Sequence, residues 1–336
     1  MSPRTLVAVL VLALMTLAPV QATASDLATP TSTSVSTSVS TSVSGHAAER
    51  GRDPRLHRKI YVSKKSQAFR AAKRDHRFRP IGRRPIAQVV SENWFPMGTV
   101  KKQVRTYAKK ANKHHRTPLL AIYAIPGRDC GGYSAGGLDH ASYKKWVSKI
   151  AQGLKGRHAM VVLEPDALGL LGACAGQGDR LGTLAYATRV LSAAGAWVYI
   201  DAAHSAWVKP HVMAKRLIKA GIRHARGFSV NVASFVKTKL EKKYAKKILK
   251  GLRKRGVGKK HYVMDTSRNG NGQRTGNDWC NPLYARLGKA PKVVAKKKID
   301  AYIWVKAPGE SDGYCNGGPY AGAWWPEYAL RLMGKL

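Results

Sequence analysis

The strongest constraint on the fold is a series of six short apolar runs that alternate with longer amphipathic stretches. The runs occupy residues 119–125, 159–163, 197–200, 227–232, 261–264 and 301–305. Their length and their β-branched and aromatic content favour buried strands over helices. Because helical patterns lie between them, as at residues 140–154, 181–194 and 244–255, the chain is predicted to form a parallel α/β sheet with crossover helices.

Six or more such units within about 220 residues predict a closed or nearly closed α/β barrel of the TIM type. The alternative is an open, doubly wound sheet. No G-x-G-x-x-G follows the first run, and this disfavours a dinucleotide-binding version of the open sheet.

The N-terminal residues are typical of a secreted protein. Arg4 precedes an apolar segment, LVAVLVLALMTL, and Ala22-Thr23-Ala24 forms a small-residue cleavage site. We therefore expect a signal peptide at residues 1–24, a Ser/Thr-rich and then basic linker at 25–59, and one catalytic domain at 60–336. No apolar run reaches the ~18–20 residues of a membrane span, so we expect no membrane association and an extracellular location.

The chain is strongly basic, with 59 Lys and Arg against 18 Asp and Glu and a formal charge of +41. The first interpretation is a solvated surface that keeps a monomer soluble. The second is adsorption to anionic polymers, such as acidic wall polysaccharides. Nucleic-acid binding is disfavoured because the leader directs the chain outside the cell and no nucleic-acid-binding motif is present.

Acidic side chains follow the apolar runs, where the loops of an α/β barrel form its active face. Eight of the 18 acids lie there: Asp129, Glu164, Asp166, Asp201, Asp265, Asp278, Glu310 and Asp312. Helix capping explains one or two of them, such as Asp201, but not the whole set. Crowded carboxylates raise one another's pKa, which keeps an acid protonated near neutral pH.

Aromatic residues accompany these acids: Tyr123, Trp207, Trp279, Trp304, Trp324 and Trp325. Aromatic rings stack on the apolar faces of sugar rings, so carboxylates with Trp and Tyr indicate a glycoside-cleaving cleft. A metal site is the competing use of such loops, but neither H-x-E nor H-E-x-x-H occurs. We expect no metal and a hydrogen-bonding role for His204.

Seven ordered sequence blocks resemble glycoside hydrolase family 6. They read YAIPGRDC, VVLEPDALGLL, YIDAAHSAW, GFSVNVASF, MDTSRNGNG, NDWCN and YIWVKAPGESDG. The resemblance implies a distorted, incomplete α/β barrel with its cleft at the carboxyl ends of the strands. It also implies inverting cleavage of β-1,4-glucosidic bonds in cellulose, without a cofactor.

The resemblance assigns four catalytic positions. Asp166 matches the general acid, and Asp129 matches the carboxylate that keeps the acid's pKa high, with Arg128 ordering it. Asp312 matches the proposed base, acting on water directly or indirectly, and Tyr123 matches the tyrosine that helps to distort the sugar. The substrate-binding candidates are Trp207, Trp279, Lys306, Glu310, His204, Asn231, Asp201 and Ser134. The family often places its water-positioning serine one residue later than Ser134, and Phe69 is a weak counterpart of its first stacking tryptophan.

The four cysteines, Cys130, Cys174, Cys280 and Cys315, are expected to form two disulfides in an oxidising compartment. Four cysteines allow three pairings. Cys130 and Cys174 follow two strands that are expected to be neighbours, and Cys280 and Cys315 flank the last two cleft loops. The resemblance supports the pairing Cys130–Cys174 and Cys280–Cys315.

The loops favour an endo-acting enzyme. Only residues 314–322 separate the GESDG block from the terminal Ala323-Trp324-Trp325 segment, too few to arch over several glucosyl units. The loop after Asp129 is rich in glycine, which suits a mobile flap. An open cleft that cuts chains internally is therefore predicted. A secreted cationic wall-binding protein with weak or no hydrolase activity is the alternative, and intact Asp129, Asp166 and Asp312 favour the enzyme.

Overall fold

The structure is a computed structural model that describes residues 53–274 and 278–336. The predicted signal peptide and most of the predicted linker lie outside the described residues. The described chain begins with a 3₁₀ turn, Pro54–Leu56, in which Arg55 is buried and bonded to Asp53.

Eight strands form one sheet in which all neighbours are parallel except the last pair. Each of the six apolar runs overlaps a strand, and the predicted parallel α/β architecture is confirmed. The strands are β1 (Gln88–Val90), β2 (Leu119–Ile122), β3 (Met160–Leu163), β4 (Trp197–Asp201), β5 (Gly227–Val230), β6 (His261–Asp265), β7 (Lys292–Lys296) and β8 (Ile299–Ile303). The spatial order is β1-β2-β3-β4-β5-β6-β8-β7.

In the described part of the chain, eight α-helices connect or flank these strands. They are α1 (Gln67–Arg74), α2 (Arg79–Gly82), α3 (Val100–Lys113), α4 (His140–Leu154), α5 (Arg180–Ala193), α6 (Pro210–Lys219), α7 (Thr238–Arg253) and α8 (Pro326–Leu332). From α3 to α7, each helix is the crossover between two consecutive parallel strands. Within the described residues, none of these helices has the length and apolar character needed to cross a bilayer.

The sheet curls into an incomplete barrel. The amide of Ala87, just before β1, donates to the carbonyl of Trp304, just after β8, at 2.9 Å. In the described chain no ladder joins β1 to β7 or β8, so this contact replaces full closure. The consecutive strand order differs from a doubly wound sheet, which reverses direction.

The two faces of the sheet follow the two-residue period of the strands. Leu119 and Ala121 of β2 belong to the cluster on one face, together with residues such as Met160, Val162 and Tyr199. Leu120 and Ile122 belong to the cluster that packs under α3 to α7. Because both faces are covered, the loops at the carboxyl ends of the strands are where polar chemistry is concentrated.

Candidate active site

Most of the predicted acids lie where parallel strands end. Asp201 and Asp265 are the last residues of β4 and β6, Glu164 directly follows β3, and Asp129 and Asp312 lie in the loops after β2 and β8. The backbone is left-handed at Asp129 (φ 58°), Glu164 (φ 50°) and Asp166 (φ 66°). Non-glycine residues rarely adopt this conformation, and its concentration at one edge is typical of a functional site.

The surroundings of Asp166, the predicted general acid, favour its protonated form. Its amide donates to Oδ2 of Asp201 at 3.0 Å, which fixes the turn that presents its carboxyl. Burial raises the pKa of Asp166 well above its ordinary value, and the charges of Asp201 and Asp129 raise it further. A carboxyl group in this state can donate a proton near neutral pH.

Asp201 is fully buried, and its hydrogen bonds are made within the protein. Besides the Asp166 amide, it accepts from the amide of Ala203 at 3.1 Å and from Oγ of Ser229 at 2.9 Å. Burial raises the pKa of Asp201 to about 7, against the lowering effect of these bonds. The structure therefore places Asp201 behind Asp166, where it positions the Asp166 backbone and raises the pKa of its carboxyl.

The Asp129 loop is fixed from two directions. Oδ2 of Asp129 accepts the Ser134 amide at 2.7 Å, and Arg128 donates to the Ser134 carbonyl at 2.8 Å. Arg128 also forms an ion pair with Glu92 at 2.8 Å. Burial raises the pKa of Asp129, and the Ser134 amide and the Arg128 charge oppose that rise. Arg128 thus orders Asp129 through the backbone of the shared loop.

The pKa of Asp312, the predicted base, is shifted in the direction opposite to that of Asp166. Its carboxylate contacts Nη1 of Arg268 at 2.6 Å, Nζ of Lys306 at 3.1 Å and the Asn281 amide at 3.0 Å. Burial opposes ionisation, but the two cations outweigh it and lower the pKa of Asp312 to about 2. Asp312 is therefore ionised above about pH 2, including in the range where the raised pKa of Asp166 favours its protonated form.

Tyr123 lies among these acids. It is half-buried, and the Arg128 guanidinium carbon is 4.8 Å from the centre of its ring. Burial raises the pKa of Tyr123 well above its ordinary value, and the charges of Asp166 and Asp129 raise it further. The phenol therefore stays neutral and close to both carboxyl groups.

The predicted stacking residues are exposed. Trp207 is 41% exposed and Trp279 is 61% exposed. The Trp207 ring packs so closely on Gly169 that an added Cβ would lie 2.7 Å from it. The His204 ring centre is 5.6 Å from that of Trp207, and burial lowers the pKa of His204 to about 4. His204 is therefore neutral above about pH 4, and its ring can then both donate and accept a hydrogen bond.

The remaining predicted binding residues differ in accessibility. Lys306 and Glu310 are half-buried, and Lys306 donates to the Ser311 carbonyl at 2.8 Å. Burial is the main cause of a raised pKa at Glu310, against the effect of Lys306. Asn231 is fully buried. Its side-chain Nδ2 donates to the Asp265 carbonyl at 3.0 Å, and its Oδ1 accepts the Val236 backbone amide at 3.1 Å. These bonds give Asn231 a structural use, whereas Ser134 contributes its backbone to the Asp129 loop.

Two disulfides tie the loops that carry these groups. Cys130–Cys174 and Cys280–Cys315 have Cα–Cα distances of 5.6 and 6.2 Å. Cys130 directly follows Asp129, and Cys280 directly precedes Asn281, whose backbone and side chain both bond to Asp312. Both disulfides are those expected from the sequence.

The loop after β2 reaches the loop after β8. The hydroxyl of Tyr133 donates to the Tyr314 carbonyl at 3.0 Å, and its ring centre is 6.0 Å from that of Trp279. Gly313 lies under the Tyr133 ring, where a Cβ would lie 2.3 Å from it. The glycine-rich segment after Asp129, which was predicted to be a mobile flap, thus makes aromatic contacts with Trp279 and with the loop after β8.

The sequence reasoning missed Arg268 and placed Glu164 among the acids of the active face without giving it a role. Arg268 is fully buried beside Asp312, and Glu164 is buried where it accepts the amides of Ala124 and Ile125 and the hydroxyl of Tyr143. Arg268 lies in the MDTSRNGNG block, and its place in that block was the sequence feature that could have identified it. Within residues 53–274 and 278–336, no group of three or more His, Cys, Asp or Glu is arranged to hold a metal ion.

The geometry agrees with comparisons to known proteins. The model of the family "Glycosyl hydrolases family 6" matches residues 53–335. Endoglucanase A of Cellulomonas fimi is 46% identical over 71% of this chain, and Endoglucanase A of Thermobispora bispora is 36% identical over 81%. These alignments span only 52% and 61% of those two relatives.

The chain also resembles a solved structure, and the match extends over nearly the whole length of that structure. The endoglucanase Cel6 from Mycobacterium tuberculosis, in complex with a methyl-cellobiosyl-thio-cellobioside, superposes with a TM-score of 0.79 and 35% identity. The match covers 84% of this chain and 99% of that one. The resemblance inferred from the seven sequence blocks is confirmed, and the chain belongs to glycosyl hydrolases family 6.

Proposed function

We propose that this chain is a secreted endo-β-1,4-glucanase that cleaves internal bonds of cellulose or related β-glucans with inversion. The observation that carries the proposal is the opposite state of two aspartates at one edge of the barrel. Burial and neighbouring carboxylates keep Asp166 protonated, whereas Arg268 and Lys306 keep Asp312 ionised. An inverting glycosidase needs one group of each kind.

In the proposed mechanism, Asp166 donates its proton to the leaving glucosidic oxygen. Asp129, close enough to influence the pKa of Asp166, stabilises the positive charge that develops on the sugar. Tyr123 packs against the distorted sugar, and Trp207 and Trp279 provide stacking surfaces. A water molecule attacks the anomeric carbon from the opposite face, which inverts its configuration.

The environment of Asp312 suggests how this water is activated. A pKa of about 2 keeps Asp312 ionised over the acidic range but makes it a weak base. We therefore propose that Asp312 orients the water and receives its proton through an intervening water molecule. Neutral His204 and half-buried Lys306 and Glu310 would then contact the sugar hydroxyls.

The cellular location, the domain bounds and the oligomeric state of the protein form part of the same proposal. The two disulfides and the apolar N-terminal segment support export to an oxidising compartment. We propose residues 1–24 as the signal peptide, 25–59 as the linker and 60–336 as the catalytic domain of a monomer. The formal charge of +41 supports adsorption to anionic polymers.

The role of Asp166 is tested with two kinds of substrate. Asp166→Ala should nearly abolish cleavage of natural β-glucan, yet lose much less on aryl glucosides whose leaving group needs little protonation. Asp75→Ala, which removes a carboxylate whose partner is the exposed Arg77, serves as the control and should retain full activity on both. Equal losses of Asp166→Ala on both substrates would contradict the role.

The endo mode is tested by comparing viscosity with reducing ends during hydrolysis of carboxymethyl cellulose. Internal cuts shorten chains strongly for few bonds broken, so viscosity should fall steeply while reducing ends rise slowly. Slow viscosity loss with cellobiose as the sole early product would show a chain-end enzyme instead.

A further inference from the structure

A lysine-lined groove opens on the same face as the acid cluster. It consists of two adjoining recesses of about 410 and 460 Å³ that share Thr238 and Lys289. We call it the basic groove, and its lysines are Lys237, Lys239, Lys242, Lys243, Lys246 and Lys289. Five of the six are exposed, and Lys242 is half-buried.

The topology explains why the basic groove and the cleft share a face. Thr238 begins α7, the helix that follows β5, and Asn269 and Gly270 follow β6. Lys289 precedes β7, which runs antiparallel to β8 and therefore begins at the carboxyl ends of the other strands. The end of the groove formed by Thr238, Asn269, Gly270 and Lys289 thus lies on the side of the barrel where the catalytic loops lie. Lys242, Lys243 and Lys246 extend the groove from there along α7.

The basic groove lies next to the catalytic residues along the chain. Asn269, which lines it, bonds through Nδ2 to the Val236 carbonyl at 3.0 Å and to Oγ1 of Thr238 at 3.2 Å. The preceding residue, Arg268, contacts Asp312 at 2.6 Å. A polysaccharide in the cleft and a polysaccharide in the basic groove would therefore be close neighbours.

The lysines of α7 lie close to one another, and within the described chain only Lys242 has a partner inside the protein, the Tyr302 ring, whose centre is 5.6 Å from its Nζ. Lys239, Lys242, Lys243 and Lys246 are three or four residues apart, so they share one helix face, and like charges at this spacing are destabilising. Among the described residues, no carboxylate lies within ion-pair distance of the six groove lysines. Glu241, the one acid of α7, points inward and accepts the Ser205 amide at 2.9 Å. A bound polyanion would relieve this repulsion.

The residues of the basic groove indicate which anion fits. Its charges all come from lysine, and no arginine lines it. Arginine is the residue that recognises phosphate in a bidentate manner, whereas lysine acts as a mobile point charge. Spaced lysines beside a glucan cleft suit a flexible chain that carries one carboxylate per sugar.

We propose that the basic groove binds carboxylate-bearing polysaccharide, such as a polyuronate, and holds it beside the glucan cleft. This inference rests on the proposed function only for the advantage that binding would give to hydrolysis; the binding itself does not depend on it. The preferred substrate becomes β-1,4-glucan that carries carboxylates or is embedded in an acidic polysaccharide. Neutral glucan would use the cleft alone.

Binding is tested on the full chain with polygalacturonate, which contains no glucosidic bond to cleave. The groove variant replaces Lys239, Lys243, Lys246 and Lys289 with Gln, and the control variant replaces Lys101, Lys102, Lys109 and Lys113 of α3, which are equally exposed. At ~0.05 M salt, the groove variant should bind roughly 30-fold more weakly, equivalent to about 2 kcal/mol. The control should change by less than about threefold.

Hydrolysis separates this inference from the proposed function. The groove variant should hydrolyse neutral hydroxyethyl cellulose at the wild-type rate, which shows that it is folded, and its KM should rise on carboxymethyl cellulose alone. Equal weakening by both variants would overturn the inference in favour of diffuse net charge. Loss of duplex DNA binding with polygalacturonate binding unchanged would also overturn it. If wild type cleaves neither glucan but the groove variant alone loses polygalacturonate binding, the proposed function fails and the basic groove stands.

Discussion

Replacing Arg268 with Met isolates the electrostatic cause of the ionised state of Asp312. Arg268 is fully buried, and its guanidinium donates to Asp312 at 2.6 Å and to the Ala233 carbonyl at 2.6 Å. Its guanidinium carbon is 4.4 Å from the ring centre of Phe235, so a methionine of similar length fills an already apolar contact. The variant leaves Asp312 with Lys306 and the Asn281 amide.

The size of the effect follows from the pKa of Asp312. Its surroundings lower that pKa from 3.8 to about 2, which corresponds to about 2 kcal/mol in favour of the ionised form. Since the folded pKa is depressed, this stability is fully present above about pH 4 and is lost as the pH falls towards about 2. Removing one partner of a buried pair should cost about 3–5 kcal/mol at pH 7.

The assay is a pH profile of hydrolysis on a neutral soluble glucan, recorded below the unfolding temperature of the variant. If Asp312 must be ionised for turnover, the acid limb of Arg268→Met should move up to about pH 4 or higher, where burial prevails over Lys306. Arg77→Met removes an exposed arginine that pairs with Asp75 and should leave the profile unchanged. An unchanged acid limb in Arg268→Met would refute the reasoning.

Two further predictions concern buried charged groups outside the acid cluster. Burial raises the pKa of Glu241 from 4.5 to about 7, so it costs the folded state more stability as the pH rises through that range, and Glu241→Gln should gain about 3 kcal/mol at pH 8 but little at pH 4. Urea unfolding at both pH values measures this, and an equal gain at both would contradict it. Arg55 pairs with Asp53 at 2.6 Å and lies 4.3 Å from the ring centre of Trp197, so Arg55→Met should lower the free energy of unfolding by about 2 kcal/mol. Its rate of glucan hydrolysis should be unchanged, and a lost rate with intact stability would argue against a purely structural role.

The sequence predicted the part of the fold that is encoded locally. Each apolar run that became a strand is buried along most of its length, as in β2 and β3, so its pattern was visible without knowledge of its neighbours. Two strands escaped prediction. β1 has only three residues and pairs with β2, about 30 residues further along the chain. β7 is a lysine-rich edge strand that forms a hairpin with β8, the next strand in the chain, and it has no apolar run of its own.

The site residues likewise include some whose location was predictable from the sequence and some that depend on partners distant in the chain. The location of Asp129, Asp166 and Asp312 was predictable because acids that follow strands meet at one edge of a parallel sheet. Arg268 was not found, because its partner Asp312 is 44 residues away. Asn231 lies at the correct edge, but the hydrogen bonds that occupy its amide come from the loop after β5 and from β6. Proximity to a strand end therefore predicts location, whereas the partners that decide a role are long-range.

The pKa values of the two aspartates show why composition does not predict chemistry. In a chain with 59 Lys and Arg, net charge alone would lower the pKa of every carboxyl group. The fold instead surrounds Asp166 with Asp201 and Asp129, so that burial and negative charge raise its pKa. The same fold brings Arg268 and Lys306 to Asp312 and lowers its pKa. The proposed acid and base therefore depend on where a few buried charges are placed, and the many surface lysines remain available for binding anions at the basic groove.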